Sequence, residues 1–122
     1  MTEAEARAWL AEQVDVPRET WAGPERYVAL LLDGMAHQNL IAESTVPHIW
    51  ARHIVDSAQL MPLVADAGEG PWIDLGAGAG LPGIVVALLS TRPVILIESR
   101  RKRIDFLRDV IADLGLTHAS VI

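Results

Sequence analysis

The chain has 122 residues, a hydrophobic content of 51% and a formal net charge of −6. The hydrophobic content excludes a disordered segment, the acidic balance argues against a general nucleic-acid coat protein, and the absence of cysteine excludes disulfides and thiolate metal sites. The first residues lack the apolar core of a signal peptide, and no apolar run approaches the roughly 18 residues of a membrane span. We therefore expect a folded, cytoplasmic protein with no membrane contact.

The first part of the chain, residues 1–68, is predicted to be a helical N-terminal extension. Thr2 followed by Glu5 has the spacing of a capping box, in which each residue bonds the backbone amide of the other. This pattern predicts a first helix that runs to about Gln13.

Two prolines mark further helix starts in this extension. Pro24 suits the first turn of a second helix over residues 24–40, because proline has no amide to lose there. Pro47 begins a predicted third helix over residues 47–64. One apolar stripe of this helix is formed by Ile49, Trp50, Ile54 and Met61.

From residue 69 the pattern alternates between short apolar strands and helices. Strands are predicted at residues 71–75, 93–98 and 119–122, with helices between them at residues 81–90 and 100–115. The order β-α-β-α-β predicts a parallel sheet, the first half of a doubly wound α/β domain over residues 69–122. The last helix is predicted to turn these side chains inward and to stop at Gly115: Ile104, Leu107, Ile111 and Leu114.

Such a sheet normally has a second half, so the sheet of this chain is expected to be truncated. The strand at residues 71–75, predicted to be buried, would then be left with one unpaired edge. Unpaired strand edges present backbone donors and acceptors to other chains, which predicts self-association through this edge.

A glycine-rich loop follows the first predicted strand and has three possible interpretations. Alternate glycines are compatible with a tight turn that binds nothing. Gly78, Gly80 and Gly83 fit the G-x-G-x-x-G pattern of dinucleotide-binding proteins, a weak match by itself. Asp74, with Gly76, Gly78 and Gly80, fits the acid-x-G-x-G-x-G loop of S-adenosylmethionine-binding proteins.

Charge favours the third interpretation. Asp74 would repel a doubly anionic pyrophosphate, whereas the methionine end of S-adenosylmethionine carries an ammonium and a sulfonium that an acid attracts. Glu98, at the end of the second strand, supports either cofactor, because a carboxylate there can accept both ribose hydroxyls of an adenosine. Its alternative role is a solvated carboxylate at a strand end.

The helical extension contains a polar block, and taken alone this block is structural. Arg52 and Asp56 are spaced as a surface ion pair, beside a half-buried His53. With Ser57 they could suggest a hydrolytic triad, but three members on a turn and a half of one helix rarely converge on a point. One histidine and one acid also make a poor metal site, so no metal and no catalytic residue are assigned.

Basic side chains concentrate near the end of the chain. Residues 100–122 hold five basic and three acidic side chains, a net charge of +2, against −8 for residues 1–99. A polyanion is therefore expected to bind near residues 100–103, with Arg100 and Arg101 as contacts. The alternative is that this run is only a solvated helix start.

Several segments together resemble one family in order and spacing, the bacterial glucose-inhibited division protein B family of small-subunit ribosomal RNA methyltransferases. The resemblance covers about residues 27–116, and its specific part is the Arg-His-x-x-Asp-Ser block with Leu-Pro-Gly after the glycine loop. The segments are NLIAEST at 39–45, WARHIVDS at 50–57, IDLGAGAGLPG at 73–83, IES at 97–99 and KRIDFL at 102–107.

The resemblance implies a class I, Rossmann-like methyltransferase sheet that uses S-adenosylmethionine and moves its methyl group to N7 of a guanine in 16S ribosomal RNA. The implied partner is ribosomal RNA in the small ribosomal subunit. Two other functions stay open from the residues alone: a non-catalytic binding or assembly module, and an NAD-dependent oxidoreductase.

The resemblance also implies roles for individual residues. Gly76, Gly78, Gly80 and Leu81 would line the pocket for methionine and adenosine, with Asp74 anchoring the loop and Glu98 holding the ribose. Asn39, Arg52, His53 and Asp56 match family positions near the pocket mouth. Ile41 stands where the family has threonine, which weakens the case for RNA contacts from the second helix.

Overall fold

The computed structural model describes residues 1–13, 21–64, 68 and 70–122. The first helix, α1, spans Glu3–Gln13. The predicted capping box is confirmed: the Thr2 amide donates to Glu5 Oε1 over 2.9 Å, and the Glu5 amide donates to Thr2 Oγ1 over 3.0 Å. These bonds satisfy two amides that a helix start otherwise leaves without acceptors.

The second helix, α2, spans Ala22–Gly34 and has Pro24 in its first turn. The prediction that it continues to residue 40 is wrong. The amides of Leu40 and Ile41 instead donate to Met35 Sδ, each over 3.4 Å, and this turns the chain out of the helical path.

The predicted third helix is broken into pieces of different winding. Of the predicted apolar stripe, Ile49, Trp50 and Ile54 are buried and Met61 is partly buried, and Pro47 lies inside a 3₁₀ helix instead of beginning the helix. One piece is a π-helix, whose turn is wider than that of an α-helix, and it begins at Trp50. There the Glu3 carboxylate accepts hydrogen bonds from the amides of Trp50 and Ala51 over 3.0 and 2.9 Å, a tertiary contact that helical periodicity cannot reveal. The pieces are a 3₁₀ helix Glu43–His48, a π-helix Trp50–Ile54, the α-helix α3 Val55–Ala58 and a 3₁₀ helix Pro62–Val64.

The second part of the chain is the predicted β-α-β-α-β unit. Its elements are β1 Trp72–Leu75, α4 Gly83–Leu89, β2 Val94–Ile97, α5 Arg101–Leu114 and β3 Ala119–Val121. All strand pairs are parallel and the order is β1-β2-β3, with Asp74 beside Leu96 and Leu96 beside Val121. Helix α5 ends where it was predicted to end, at Gly115, whose φ of 62° few other residues adopt.

The two faces of the sheet differ. Side chains on alternate positions of β2, Val94 and Leu96, are buried. On β1, Ile73 and Leu75 are 54% and 76% exposed, so the prediction that this strand is buried holds only for Asp74. Strand side chains alternate between faces, and in the described part of the chain one face of β1 is left to solvent.

The buried apolar side chains form one continuous cluster that joins the helical part to the sheet. Tyr27 and Leu31 of α2 are fully buried in it, as is Leu107 of α5. At the rim, Arg26 binds Asp113 through two bonds of 2.9 Å. This packing fixes α2 against α5. Among the described residues, no helix is long and apolar enough to cross a membrane.

Candidate functional site

The glycine loop between β1 and α4 is held at both ends by backbone hydrogen bonds. The amides of Gly76 and Ala77 donate to Ile97 O over 2.8 and 3.0 Å, which fastens the loop to the end of β2. The Gly80 amide donates to Ala77 O over 2.8 Å. Gly76, Gly78 and Gly80 have φ values of 67°, 55° and 95°, a backbone region that favours glycine.

The glycines of this loop have two different surroundings. A Cβ on Gly80 would crowd Ile84 and Leu107, and a Cβ on Gly83 would meet Leu96 and Asp74. These two glycines are therefore required by packing inside the protein.

In contrast, Gly76 and Gly78 border open space. A Cβ on Gly76 would have no atom within 4 Å, and one on Gly78 would meet only Gly76 O at 3.8 Å. Internal packing does not explain these two glycines. They leave room for a ligand to approach the backbone closely.

Asp74 fastens the base of the loop. It is buried, and its Oδ2 accepts the Gly83 amide over 3.0 Å, so it ties β1 to the first residue of α4. Burial raises the pKa of the Asp74 carboxyl, while the bond from Gly83 lowers it. The carboxylate therefore lies beneath the loop and faces α4.

Tyr27 also holds the loop, and sequence reasoning missed it. Its hydroxyl is fully buried and donates to Ala79 O over 2.7 Å. Burial, together with the nearby Asp74, raises the pKa of Tyr27 well above its usual value of 10.0. A tyrosine on the apolar face of a helix was the available signal, because a buried tyrosine hydroxyl usually has a partner.

Glu98 connects the glycine loop to the start of α5. Its Oε1 accepts the Gly78 amide over 2.9 Å, and its Oε2 accepts the amides of Ser99 and Arg100, each over 2.9 Å. The bond from Arg100 is the main cause of a lowered pKa, with the nearby Arg103 adding to it. Glu98 is therefore charged at neutral pH and lies against the open half of the loop.

A basic cleft lies beside Glu98, between the chain after α2 and the start of α5. Its volume is about 490 Å³. The Gln38 side chain donates to Lys102 O over 3.0 Å, and Arg103 donates to Asn39 O over 3.3 Å, so Asn39 is brought to the start of α5. The lining residues are Gln38, Asn39, Arg100, Arg101, Lys102 and Arg103.

His53 lies apart from this cleft and is bonded within the helical part. Thr45 Oγ1 donates to Ala42 O over 2.7 Å, so its 2.8 Å bond with His53 must be donated by the His53 Nε2–H. Partial burial lowers the pKa of His53, Asp56 raises it and Arg52 lowers it. His53 is thus mainly neutral at pH 7.

Arg52 and Asp56 are exposed, and within the described residues they form no ion pair with each other. Arg52 lies in the π-helix, whose wider turn removes the i,i+4 alignment on which the predicted pair depended. In the same described residues, no hydrogen bond or ion pair connects Arg52, His53 or Asp56 to the glycine loop. Across the part of the chain that the structure describes, no three or more His, Cys, Asp or Glu side chains are grouped so that they could hold a metal ion.

A parallel sheet, an open glycine loop after β1 and a carboxylate at the end of β2 define a Rossmann-like α/β domain. The family described as GidB, rRNA small subunit methyltransferase G, matches residues 22–122, and the chain belongs to this family. The family prediction and the class I α/β fold are therefore confirmed.

Individual relatives agree with the family match. Each of the following is named ribosomal RNA small subunit methyltransferase G. The protein of Sphingopyxis alaskensis is 58% identical over 98% of this chain and 51% of its own length. The protein of Rhizorhabdus wittichii is 60% identical over 95% of this chain and 53% of its own length. The protein of Zymomonas mobilis is 51% identical over 88% of this chain and 52% of its own length. The chain thus spans about half the length of these relatives.

Proposed function

We propose that this chain provides the cofactor-binding part of an S-adenosylmethionine-dependent methyltransferase that modifies N7 of a guanine in 16S ribosomal RNA. The observation that carries the proposal is the open space over Gly76 and Gly78, next to the carboxylate of Glu98. The names of the relatives support both the reaction and the RNA substrate. A ribosomal substrate also implies a cytoplasmic location.

In this proposal Gly76, Gly78 and Leu81 border the cofactor, and Glu98 accepts hydroxyls of its ribose. Gly80 and Asp74 act beneath the pocket, where the first allows close packing and the second holds α4. The buried acid also disfavours the pyrophosphate of a dinucleotide. The cofactor supplies an activated methyl group when it is bound.

The protein's part in the reaction is mainly orientation. Guanine N7 has a free lone pair, so the transfer requires no general base, and fixing the two reactants in line lowers the barrier. For this reason we assign no catalytic residue.

The basic cleft is the proposed contact for the RNA backbone. Arg100 and Arg101 are exposed, and Asn39 lies opposite them across the cleft. Phosphate contacts of this kind position a nucleic acid without selecting its sequence. We propose that Arg52, His53 and Asp56 shape the RNA-facing side of residues 1–68, while residues 69–122 bind the cofactor.

Calorimetric titration of the chain with S-adenosylhomocysteine and with NAD tests this function. We expect S-adenosylhomocysteine to bind and NAD not to bind. Binding of NAD alone would identify an oxidoreductase domain. Binding of neither would overturn the cofactor assignment and favour a non-catalytic binding or assembly module.

A second proposal concerns self-association. Ile73 and Leu75 are exposed on the sheet, Ile122 is 69% exposed, and β1 pairs with one strand, β2, among the described residues. We propose that two copies of the chain pair along β1, because this contact satisfies free backbone groups and covers apolar surface together.

A further inference from the structure

We infer that Glu98 exchanges partners when an adenosine binds: its Oε1 gives up the Gly78 amide and accepts a ribose hydroxyl in its place. We call the hydrogen bond between Gly78 and Glu98 the Gly78–Glu98 latch. The inference rests on the proposed function, since it requires the ribose of the cofactor to bind at Glu98.

The hydrogen bonds of Glu98 leave too few free positions for a ribose diol. A carboxylate has about four acceptor positions, two on each oxygen. The amides of Ser99 and Arg100 use both positions of Oε2, and the Gly78 amide uses one of Oε1. One position remains, whereas the two neighbouring hydroxyls of a ribose need two. One existing bond must therefore be given up.

The Gly78 bond is the one that can be given up. Ser99 and Arg100 immediately precede α5, a helix of 14 residues of which Arg100 is the N-cap, and a carboxylate there also interacts favourably with the positive end of the helix dipole. Gly78 lies in a loop, and no side chain would contact a Cβ built on it. Moving the Gly78 amide therefore disturbs less of the structure than freeing the start of α5.

The exchange has two consequences for the site. First, the released Gly78 N–H becomes a donor at the open half of the loop, where it can serve an acidic group on the ligand. Second, the bonds of Oε2 keep the start of α5 in place, so the cations of the basic cleft keep their positions while the cofactor enters. A ligand without ribose hydroxyls leaves the latch closed.

Amide hydrogen exchange measured by NMR tests the inference. Adenosine is the suitable probe, because it carries the diol but no carboxylate that could protect the Gly78 amide again. At saturating adenosine we expect exchange at Gly78 to accelerate at least about tenfold, the effect of losing one hydrogen bond to a charged group. Exchange at Ser99 and Arg100 should not change. With 2′,3′-dideoxyadenosine as the control, Gly78 should exchange as it does without ligand.

The variant Glu98→Asp supplies a second arm. Its side chain is one methylene shorter, so it cannot reach both the loop and α5. Gly78 in this variant should exchange fast without ligand and should not respond to adenosine.

The outcomes separate this inference from the proposed function. If adenosine binds and the hydrogen-exchange rate of the Gly78 amide does not change, the inferred opening of the Gly78–Glu98 latch is wrong. The same holds if the amides of Ser99 and Arg100 exchange faster instead. Both results leave the cofactor assignment intact. A chain that binds neither adenosine nor S-adenosylhomocysteine would overturn both.

Discussion

At the scale of single residues, the loop glycines separate ligand binding from folding. We expect Gly78→Val to abolish binding of S-adenosylhomocysteine, because its side chain would enter the open space over the loop. Valine at the positive φ of Gly78, 55°, should lower the free energy of unfolding by roughly 1–2 kcal/mol and leave the helical content intact. Calorimetry and circular dichroism measure the two effects.

Gly83→Val is the matched comparison for that variant. Its side chain would meet Leu96 and Asp74 inside the protein, so we expect a loss of roughly 1–3 kcal/mol or more in the free energy of unfolding. If Gly78→Val binds S-adenosylhomocysteine as tightly as the wild type does, the open half of the loop does not border the cofactor.

His53 should make stability depend on pH below neutrality. Its pKa in the folded chain is lowered from 6.5, chiefly by burial, so the unfolded chain binds a proton at a higher pH than the folded chain does. The free energy of unfolding should then fall as the pH falls from about 6.5 through the lowered pKa. Urea unfolding between pH 5 and 7.5 measures this slope.

His53→Gln should reduce that slope, and His37→Gln, at an exposed position, serves as the control. If the slope is the same in wild type and His53→Gln, the partial burial of this histidine has no effect on stability.

At the scale of elements, the start of α5 carries the RNA prediction. We expect Arg100→Ser with Arg101→Ser to lower the dependence of log affinity on log salt by at most about two units, because each lost phosphate contact removes less than one. A single-stranded RNA oligonucleotide titrated at several salt concentrations measures the slope.

Arg108→Ser, further along the same helix, is the control for helix charge. If the double variant keeps the wild-type affinity and slope, the basic run is a solvated helix start and does not bind RNA.

The elements that the sequence predicted well are those set by local pattern. The Thr2–Glu5 capping box, the strand at Trp72–Leu75 and the stop at Gly115 each depend on neighbouring residues, and all three were found. Periodicity predicted one helix over residues 47–64, whereas residues 43–64 form four short pieces, and the contact of Glu3 with the amides of Trp50 and Ala51 is too distant in sequence for periodicity to reveal.

The candidate site was predictable to the same degree. The loop glycines and Glu98 could be identified from the sequence, because glycines and a carboxylate occur at characteristic spacings after predicted strands. The partners of Glu98 and the support of Ala79 by Tyr27 require knowledge of which chain segments meet. Sequence also could not divide the glycines into those bordering open space and those packed inside, because that division depends on Leu96 and Leu107.

At the scale of the whole molecule, the exposed face of β1 should govern association. We expect light scattering of the 122-residue chain to give at least the mass of a dimer. Leu75→Lys, at a position 76% exposed on the sheet, should return the monomer, because a charge beside the β1 edge resists pairing.

Leu63→Lys is the control, since Leu63 is 79% exposed but lies in the helical part. A wild-type chain that is a monomer and melts cooperatively would show that the free edge needs no partner.

The carboxylate of Glu3 has a further use. It caps the amides of Trp50 and Ala51, residues 47 and 48 positions away, and the Arg7 guanidinium of the same helix stacks on the Trp50 ring at 4.5 Å. Through these two side chains, helix α1 contacts two neighbouring backbone amides and one indole ring in the rest of the chain. The NMR signals of the Trp50 and Ala51 amides and of the Trp50 indole N–H therefore report whether the N-terminal helix is docked.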